Sequence, residues 1–561
     1  MLASEIPLER GHRYRWSVTR RAPHDELRAF RDLDPLLSHL LRNRGLASVV
    51  EAERFLDAER QPLADPFLMA GMASALDRLA AAIEADELIA IYGDYDVDGL
   101  TATAVLHRAL RRLGARVLPF IPHRVKDGYG LQEGPLAELQ AAGATLVVTV
   151  DCGVTAMREI ALARSAGLEV VVTDHHLLAQ GDEGSCLPPA VAVLNPNRPD
   201  CAYPFKELAG VGVAYKLSEG LLRTKLPATE AEVLLDDLLE LVAIGTLADV
   251  VSLRSENRTM VRRGLRRLNQ TQRQGLRALT TVAGLGPGSV DADRVCYALA
   301  PRLNAAGRLD HARVALDLLL TESPDEADAL AQRLNILNRA RQEQTDEAVK
   351  RARDDVASRR IGAAIVISGP FPPGIAGLVA GRLAEEFNRP AIVLHKDGES
   401  CRGSARSVTG VNVVEAMRCG AEHLDRFGGH AMAAGLSMAT ERLAAFESAF
   451  QAAVEEVRGE VPIERLLPVD AELRALTASK WSTLELLPKL EPHGASNPAP
   501  VFLTRGLRVV DRRQVARDVT RLRLSAPGAL LTAIVFGPCD AGIEAGETID
   551  GVYRLKRNLW R

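Results

Sequence analysis

Three short apolar runs set the frame of this chain, because each of them stops at an aspartate. Residues 88–92 run into Gly93-Asp94, residues 145–150 into Asp151-Cys152-Gly153, and residues 169–173 into Asp174-His175-His176. Runs of five or six residues dominated by Val, Ile and Leu read as strands buried on both faces. Between and around them lie segments with helical periodicity, at 76–85, 101–113, 135–142 and 157–166, and further strands at 116–121 and 189–194. Strands alternating with helices at this spacing predict an α/β fold with a parallel sheet. In such sheets ligands collect where the strands end. Residues 1–70 read as short helices with polar joints, and 210–247 as mostly helical, leading to Asp249.

The second half repeats the theme and then leaves it. Residues 325–359 hold neither Gly nor Pro and are dense in Ala, Arg, Gln, Glu and Asp. They predict one long, largely polar helix, of the kind that bridges two domains. A second α/β pattern follows, with strands at 363–368 and 391–394 around a helix at 375–387. Gly403-Ser404-Ala405-Arg406-Ser407 reads as a loop or edge strand, and Gly428-Gly429-His430 as a turn. Strands at 501–510, 521–524 and 530–536 then make an all-β unit. The expected organisation is a helical segment (1–70), a first α/β domain (71–270), a helical connector (271–359), a second α/β domain (360–458) and a β domain (459–561).

Composition narrows the function classes. Lys plus Arg minus Asp plus Glu is 69 − 73 = −4 over 561 residues, so this is no uniformly basic nucleic-acid coat. A basic surface must be segregated if it exists. The window 505–523, with seven Arg against two Asp, is the best candidate. No apolar run approaches the ~20 residues that span a bilayer, and the first twenty residues lack the apolar core of a secretory signal. Seven scattered Cys without a Cys-x-x-Cys pair fit reduced thiols, and the expectation is a cytoplasmic protein without a membrane.

The chemistry lies in the carboxylates. Asp94, Asp96, Asp98, Asp151 and Asp249 converging on one crevice cannot all stay ionised unless cations sit between them. Oxygen-rich sites with an imidazole suit Mn²⁺ or Mg²⁺. Two such ions, ~3.5–4 Å apart, need a bridging carboxylate, and Asp151 is the candidate. An EF-hand loop starting at Asp94 would need Glu at its twelfth position, where Val105 stands. Each motif alone is commonly a turn or a surface loop. All three in order, each after a strand, predict a metal site.

The set Asp94-Tyr95-Asp96-Val97-Asp98-Gly99, Asp151-Cys152-Gly153, Asp174-His175-His176 and Asp249 resembles the four motifs of the DHH phosphoesterase superfamily. Gly403–Ser407 and Gly428-Gly429-His430-Ala431-Met432-Ala433-Ala434-Gly435 resemble substrate-binding elements of its partner domain, DHHA1. Pro301-Arg302-Leu303-Asn304-Ala305-Ala306-Gly307-Arg308, and Arg124 ahead of Asp127-Gly128-Tyr129-Gly130, are similar to segments of the RecJ family. That resemblance implies a Mn²⁺- or Mg²⁺-dependent 5′→3′ exonuclease specific for single-stranded DNA. It would release 5′-mononucleotides in recombination and repair, act as a monomer, and end in an OB-fold that grips the strand. A single-strand-binding protein and a helicase would be its partners.

Asp96, Asp98, Asp151, His175 and Asp249 are then the expected metal ligands, with Asp94 a ligand or a neighbour of one. His176 would contact the scissile phosphate or orient a ligand. Arg302, Arg308, Ser404 and Arg406 would take the 5′-phosphate end, since the guanidinium fork suits phosphate oxygens. Arg124, Asn304, Gly429 and His430 would also meet the nucleic acid. Trp481, Phe502 and Trp560 could stack bases, but because aromatics dominate cores each reads first as core. Where the family carries Gly before Asn near the β domain, this chain has Ser496 before Asn497. Small phosphodiesterases and family II pyrophosphatases of the same superfamily lack the added β unit. Degenerate scaffold members lack the carboxylates that are all present here.

Overall fold

The computed structural model describes residues 8–10, 14–20, 30, 32–124, 126–128, 130–181, 184–359, 361–459, 465–516, 519–537 and 543–556. The chain divides into two compact units. One comprises Ala64–Val251 and Arg263–Ile463; the other comprises Met1–Leu63, Ser252–Arg262 and Glu464–Arg561.

The larger unit opens with helix α1 (Met72–Glu84) and then builds a five-stranded sheet. Its strands are β1 (Leu88–Gly93), β2 (Arg116–Phe120), β3 (Ala144–Val150), β4 (Glu169–Thr173) and β5 (Ala192–Leu194). All pairings are parallel and the order is β2-β1-β3-β4-β5. The order reverses at β1, so the cleft between the carboxyl ends of β1 and β3 is the switch point of the sheet. Helices α2 (Val97–Arg112), α3 (Glu133–Ala141), α4 (Met157–Ser165), α5 (Gly210–Lys225) and α6 (Ala228–Ala248) follow. Ala90, Tyr92 and Val147 pack on Leu136, Leu139, Ile160 and Ala163 of α3 and α4. Ile89, Ile91 and Val148, which alternate with them, are equally inaccessible to water, so both faces are covered, as a parallel sheet requires.

Two boundaries differ from the sequence reading for local reasons. Helix α2 starts at Val97, not 101, because the Asp96 carboxylate caps it, accepting from the N–H groups of Asp98 (2.9 Å) and Gly99 (3.2 Å). The helical stretch 210–247 is broken at Leu226-Pro227, where Leu226 is extended, because a proline disfavours helical geometry in the residue before it.

Helix α7 (Ala300–Leu309) leads to α8 (Pro324–Ala357), the long helix expected from composition. Ser323 caps α8 and Pro324 sits in its first turn, where no N–H is needed. It is less uniformly polar than its composition implied. Ala327, Ala331 and Leu334 are buried in its first half, which packs on α7. Val349, Ala352 and Val356 belong to the core of the following sheet. One helix thus belongs to both lobes of this unit.

That second sheet contains β6 (Ile365–Gly369), β7 (Ala391–Asp397), β8 (Ser400–Arg406), β9 (Arg426–His430) and β10 (Ala433–Ala439), in the order β6-β7-β8-β10-β9. Helices α9 (Pro373–Phe387) and α10 (Leu443–Arg458) pack on it. Gly403–Arg406 therefore lie in a strand paired on both sides, not in a loop or edge strand. Gly428-Gly429-His430 form the edge strand, not a turn. Gly, Ser and Ala have weak strand propensity, and the hydrogen-bonding edges of the neighbouring strands override it.

Residues 1–70 do not stand together as one segment: those from Ala64 on belong to the larger unit, and the described residues up to Leu63 pack within the smaller one. Arg15–Val18 pairs in parallel with Leu466–Val469. Phe30, Leu37, Leu40, Leu41 and Phe55 share one core with Leu473, Leu490 and Phe502. These contacts join the two ends of the sequence, which no local pattern reveals. The β unit pairs Ala471–Glu472, Phe502–Ala516, Val519–Ala526 and Ala529–Phe536 in order, with Thr548–Tyr553 on the other edge of Phe502–Ala516. Ser496 takes φ 59°, the left-handed geometry that glycine adopts freely. The turn is held by buried Asn497, which donates to Leu490 O (2.8 Å) and Pro492 O (2.7 Å) and accepts from Arg44 (2.8 Å). Phe502 is core as expected, but Trp481 is exposed and donates to Glu485. Trp560 and Tyr129 lie outside the described residues.

Candidate metal centre and substrate cleft

Five carboxylates and two imidazoles meet at the switch point. Asp94 and Asp96 leave the end of β1, Asp98 stands in the first turn of α2, Asp151 follows β3, His175 and His176 follow β4, and Asp249 caps the C-terminus of α6. Nε2 of His175 is 3.1 Å from Asp151 Oδ1, 3.7 Å from Asp249 Oδ2 and 3.9 Å from Asp98 Oδ2. Three overlapping triads bring their ligand atoms within 4.8 Å of one another: Asp94, Asp96 and Asp151; Asp98, His175 and Asp249; Asp151, His175 and His176. Asp151 is common to two of them. All six residues expected as ligands are therefore brought together, and His176 with them.

The local backbone explains the convergence. Asp151 adopts φ 63°, a left-handed geometry that costs a non-glycine residue ~1 kcal/mol or more. Gly210, the first residue of α5, lies directly against it: a Cβ there would be 2.6 Å from Asp151 Oδ1. The first N–H groups of α5 point the same way. Gly210 and Val211 donate to the two oxygens of Asp98 at 2.7 and 2.8 Å, so a helix N-terminus holds this carboxylate in place. Sequence reasoning missed this; its one signal is the run Gly210-Val211-Gly212 opening an apolar helix.

Asp174, also absent from the expected set, organises the histidines. Its Oδ1 accepts from the backbones of His175 (2.8 Å) and His176 (3.1 Å) and lies 2.7 Å from His176 Nδ1, while its Oδ2 accepts from Val154 N–H (2.9 Å). Asn195 and Asn197 donate to the carbonyls of His176 (2.9 Å) and His175 (2.7 Å).

The electrostatics show what the cluster lacks. Burial, then repulsion from Asp96, pushes Asp94 up to about 8 and Asp98 up to about 7. Burial and the charges of Asp98 and Asp96 push Asp249 up to about 9, and Asp151 is raised by burial and four neighbouring carboxylates. Burial and the charge of His176 push His175 down to about 4, leaving a neutral ring. Burial works against a charged His176, but the hydrogen bond to Asp174 and the surrounding carboxylates raise it to about 9. Burial opposes ionisation of Asp174 too, yet the hydrogen bond from His176 and the nearby imidazoles keep it below the usual carboxylate range. Asp94 Oδ1 and Asp151 Oδ1 are buried and accept no hydrogen bond among the described residues. Buried anionic oxygens without donors are unstable unless cations complete them. Carboxylates with one neutral imidazole match hard divalent ions. The residues present therefore fit Mn²⁺ or Mg²⁺.

A cationic pocket lies beside the carboxylates. Arg308 of α7 donates to Gly374 O (2.9 Å), and burial plus the charges of Arg124, Arg341 and Arg406 push it down to about 9. Arg406 of β8 is lowered by burial and by Arg124. Arg124 lies 4.6 Å above the Tyr95 ring. A Cβ on Gly377 of α9 would be 2.7 Å from Arg406 Nη2 and 3.3 Å from Ser404 Oγ, so this glycine leaves room for both. Among the described residues none of the four arginines pairs with a carboxylate. Arg341, on the long helix, was not singled out by sequence.

Other expected contacts fall differently. His430 reaches the metal cluster, its ring stacked on His176 at 5.5 Å. Gly429 beside it has φ 143°, and a Cβ there would be 2.6 Å from the Ala434 Cα, which requires glycine. Arg302 is turned away from Arg308, donating to Asn335 (3.1 Å) and Ala298 O (2.7 Å). The side chain of half-buried Asn304 makes no hydrogen bond to a described residue. In the 505–523 window, Arg505 pairs with Glu472 and Asp550, and Arg521 with Asp511, so part of the basic charge is neutralised. Arg517 lies outside the described residues.

Comparison with known proteins agrees with this layout. The chain matches the DHH family N-terminal domain over residues 88–246, the DHHA1 domain over 362–456 and the RecJ OB domain over 469–561. It is 37% identical to the single-stranded-DNA-specific exonuclease RecJ of Dickeya dadantii, over 92% of both chains. The chain belongs to the RecJ family. The Bacillus subtilis RecJ is 36% identical over the whole of this chain and 70% of its own length. A crystal structure of RecJ with Mn²⁺ from Thermus thermophilus superposes with a TM-score of 0.82 at 31% identity, covering 97% of this chain and 77% of that one. A second structure from that organism is described in complex with Mg²⁺. This RecJ-family chain is a metal-dependent exonuclease, and the β1, β3 and β4 ends and the α6 terminus carry groups that could hold a metal ion. No helix among its described residues is long and apolar enough to cross a membrane.

Proposed function

We propose that this protein degrades single-stranded DNA from the 5′ end, hydrolysing phosphodiester bonds with two Mn²⁺ or Mg²⁺ ions and releasing 5′-mononucleotides in recombination and repair. The observation that carries the reading is the pairing of a buried, under-satisfied carboxylate cluster with four arginines that have no acidic partner among the described residues. One site calls for cations and its neighbour for an anion.

Asp94, Asp96, Asp98, Asp151, His175 and Asp249 would hold the ions, with Asp151 shared between them. Bound there, the ions would lower the pKa of water and stabilise charge on the phosphate oxygens. Asp98 is kept ready by the α5 N-terminus, and Asp174 fixes the His176 ring with Nδ1 engaged. The imidazole so held would face a phosphate oxygen of the strand, and His430 stacks on it from the second lobe. Arg124, Arg308, Arg341 and Arg406, with Ser404, would bind the terminal phosphate. Capture of a chain end by charge explains action from an end instead of internally. The DHH and DHHA1 lobes share α8, which holds them at a fixed separation, so a single strand passes where a duplex would not. The 5′ polarity is taken from the family.

The test is digestion of long single-stranded DNA labelled at either end, with Mn²⁺ and with EDTA. Release of mononucleotides from the 5′ end only, lost in EDTA and in Asp151→Ala, is the expected result. Cleavage confined to very short oligonucleotides, or degradation of blunt duplex at the same rate, would refute the reading.

A further inference from the structure

Tyr297 is more exposed than any other large apolar or aromatic side chain among the described residues, at 82%. An aromatic ring left in water contributes nothing to the core. Its position is also unusual. It lies in a π-helical turn, Val295–Leu299, inserted just before α7, and such turns recur at functional sites. The turn is anchored beside the metal centre: Cys296 Sγ lies 3.4 Å from Leu247 O, two residues ahead of Asp249. On its other side Arg302 turns back to bond Ala298 O at 2.7 Å and reaches Asn335 of α8 at 3.1 Å. Arg339, one turn further along α8, is exposed and close enough to lower Arg302, after burial. Neither guanidinium has a carboxylate partner among the described residues. Ile336, next to Asn335 on α8, is 65% exposed.

The turn that carries the exposed Tyr297 ring is therefore tied on one side to the end of α6, two residues ahead of Asp249, and on the other to Arg302, which has Arg339 as its cationic neighbour. Aromatic rings beside cations that follow a phosphate backbone are the usual platform for the bases of a single strand. We propose that Tyr297 is a substrate-contacting residue that stacks a nucleobase of single-stranded DNA near the metal centre, with Arg302 and Arg339 on the adjoining phosphates. This also gives Arg302 a role separate from the terminal-phosphate pocket. The inference rests on the exonuclease reading above.

The experiment uses the full chain and single strands carrying 2-aminopurine at successive positions from the 5′ end, in EDTA to prevent cleavage, with Mn²⁺-supported kinetics on the same strands in parallel. Stacking on the ring should change the fluorescence at one or two neighbouring positions in the wild type and in Tyr297→Phe, but not in Tyr297→Ala. Tyr297→Ala should raise KM about tenfold with little change in kcat, as loss of one stacked base predicts, and its thermal midpoint should match the wild type. A position-specific signal that survives Tyr297→Ala, or no such signal in the wild type, would overturn the inference while leaving the exonuclease intact. Absence of any Mn²⁺-dependent degradation by the wild type would sink both.

Discussion

Raising the pH of the metal-free protein from about 6.5 to about 8 should destabilise it, and Mn²⁺ should reverse the loss. The folded-state values of Asp94 (about 8), Asp98 (about 7), Asp249 (about 9) and His176 (about 9) all lie above the ordinary ones. A raised group holds its proton in the folded chain after the unfolded chain has shed it, so its contribution to stability falls as pH rises toward the folded value. His175, pushed down to about 4, acts in the opposite direction, but only below its unfolded value of ~6.5. Above that pH every group of the cluster that still titrates pulls the same way. Each retained proton changes stability by ~1.4 kcal/mol per pH unit. Two retained protons over ~1.5 units give a loss of roughly 4 kcal/mol, which at ~1.2 °C per kcal/mol for a unit of this size corresponds to roughly 5 °C. The assay is thermal melting at the two pH values in EDTA and in excess Mn²⁺, with Asp249→Asn beside the wild type. The variant lacks one raised carboxyl and should show a visibly smaller fall. A metal-free midpoint that stays flat or rises with pH, or an equal slope in Asp249→Asn, would refute the electrostatic account of the site.

Gly210→Ala should drive a methyl group into the Asp151 carboxylate and weaken Mn²⁺ binding at least tenfold by calorimetry; unchanged affinity would mean that α5 yields easily. Asp174→Asn should leave the His176 ring unanchored and cut kcat about 10- to 100-fold, on the scale of lost ligand-orienting partners; a normal pH–rate profile in that variant would count against its role. Arg308→Ala or Arg406→Ala should raise KM at least tenfold for 5′-phosphorylated strands and far less for 5′-hydroxyl strands, so an equal effect on both would argue against a terminal-phosphate pocket. Asn497→Ala, which removes one of the Arg44 guanidinium's partners and leaves the buried Pro492 carbonyl without the Asn497 donor, should lower stability by about 1–3 kcal/mol in urea unfolding without changing turnover at saturating substrate.

How far the sequence reached can be judged residue by residue. Apolar runs ending at Asp94, Asp151 and Asp174 announced both the parallel strands and the edge at which the chemistry sits, because side-chain hydrophobicity and chain direction alone locate a strand's carboxyl end. The long α8 was legible from composition, since thirty-odd residues without Gly or Pro leave few alternatives. Asp249 was harder, being tied to no strand, and entered the set only as the carboxylate that ends the helical stretch 210–247. Hidden from sequence were the partners that act through space. The α5 amides on Asp98, the Asp174 anchor of His176, Arg341 beside Arg308, and the ring of His430 on that of His176 each join groups that local patterns do not relate.

Sequence by itself determined which carboxylates and imidazoles are present, which strands end in them and that cations must accompany them, because ionisable chemistry and hydrophobic period are properties of the residues. Tertiary structure alone decided which groups meet and at what distance. The strand order puts the reversal between β1 and β3, so Asp94 and Asp151 face one another. The left-handed turn at Asp151 aims its carboxylate into the cleft. Helix α8 and the second sheet bring Arg341 and Arg406 close enough to act on Arg308. Those outcomes depend on long-range packing, in which whole elements are positioned by burying their apolar faces, and no local stretch of chain contains that information.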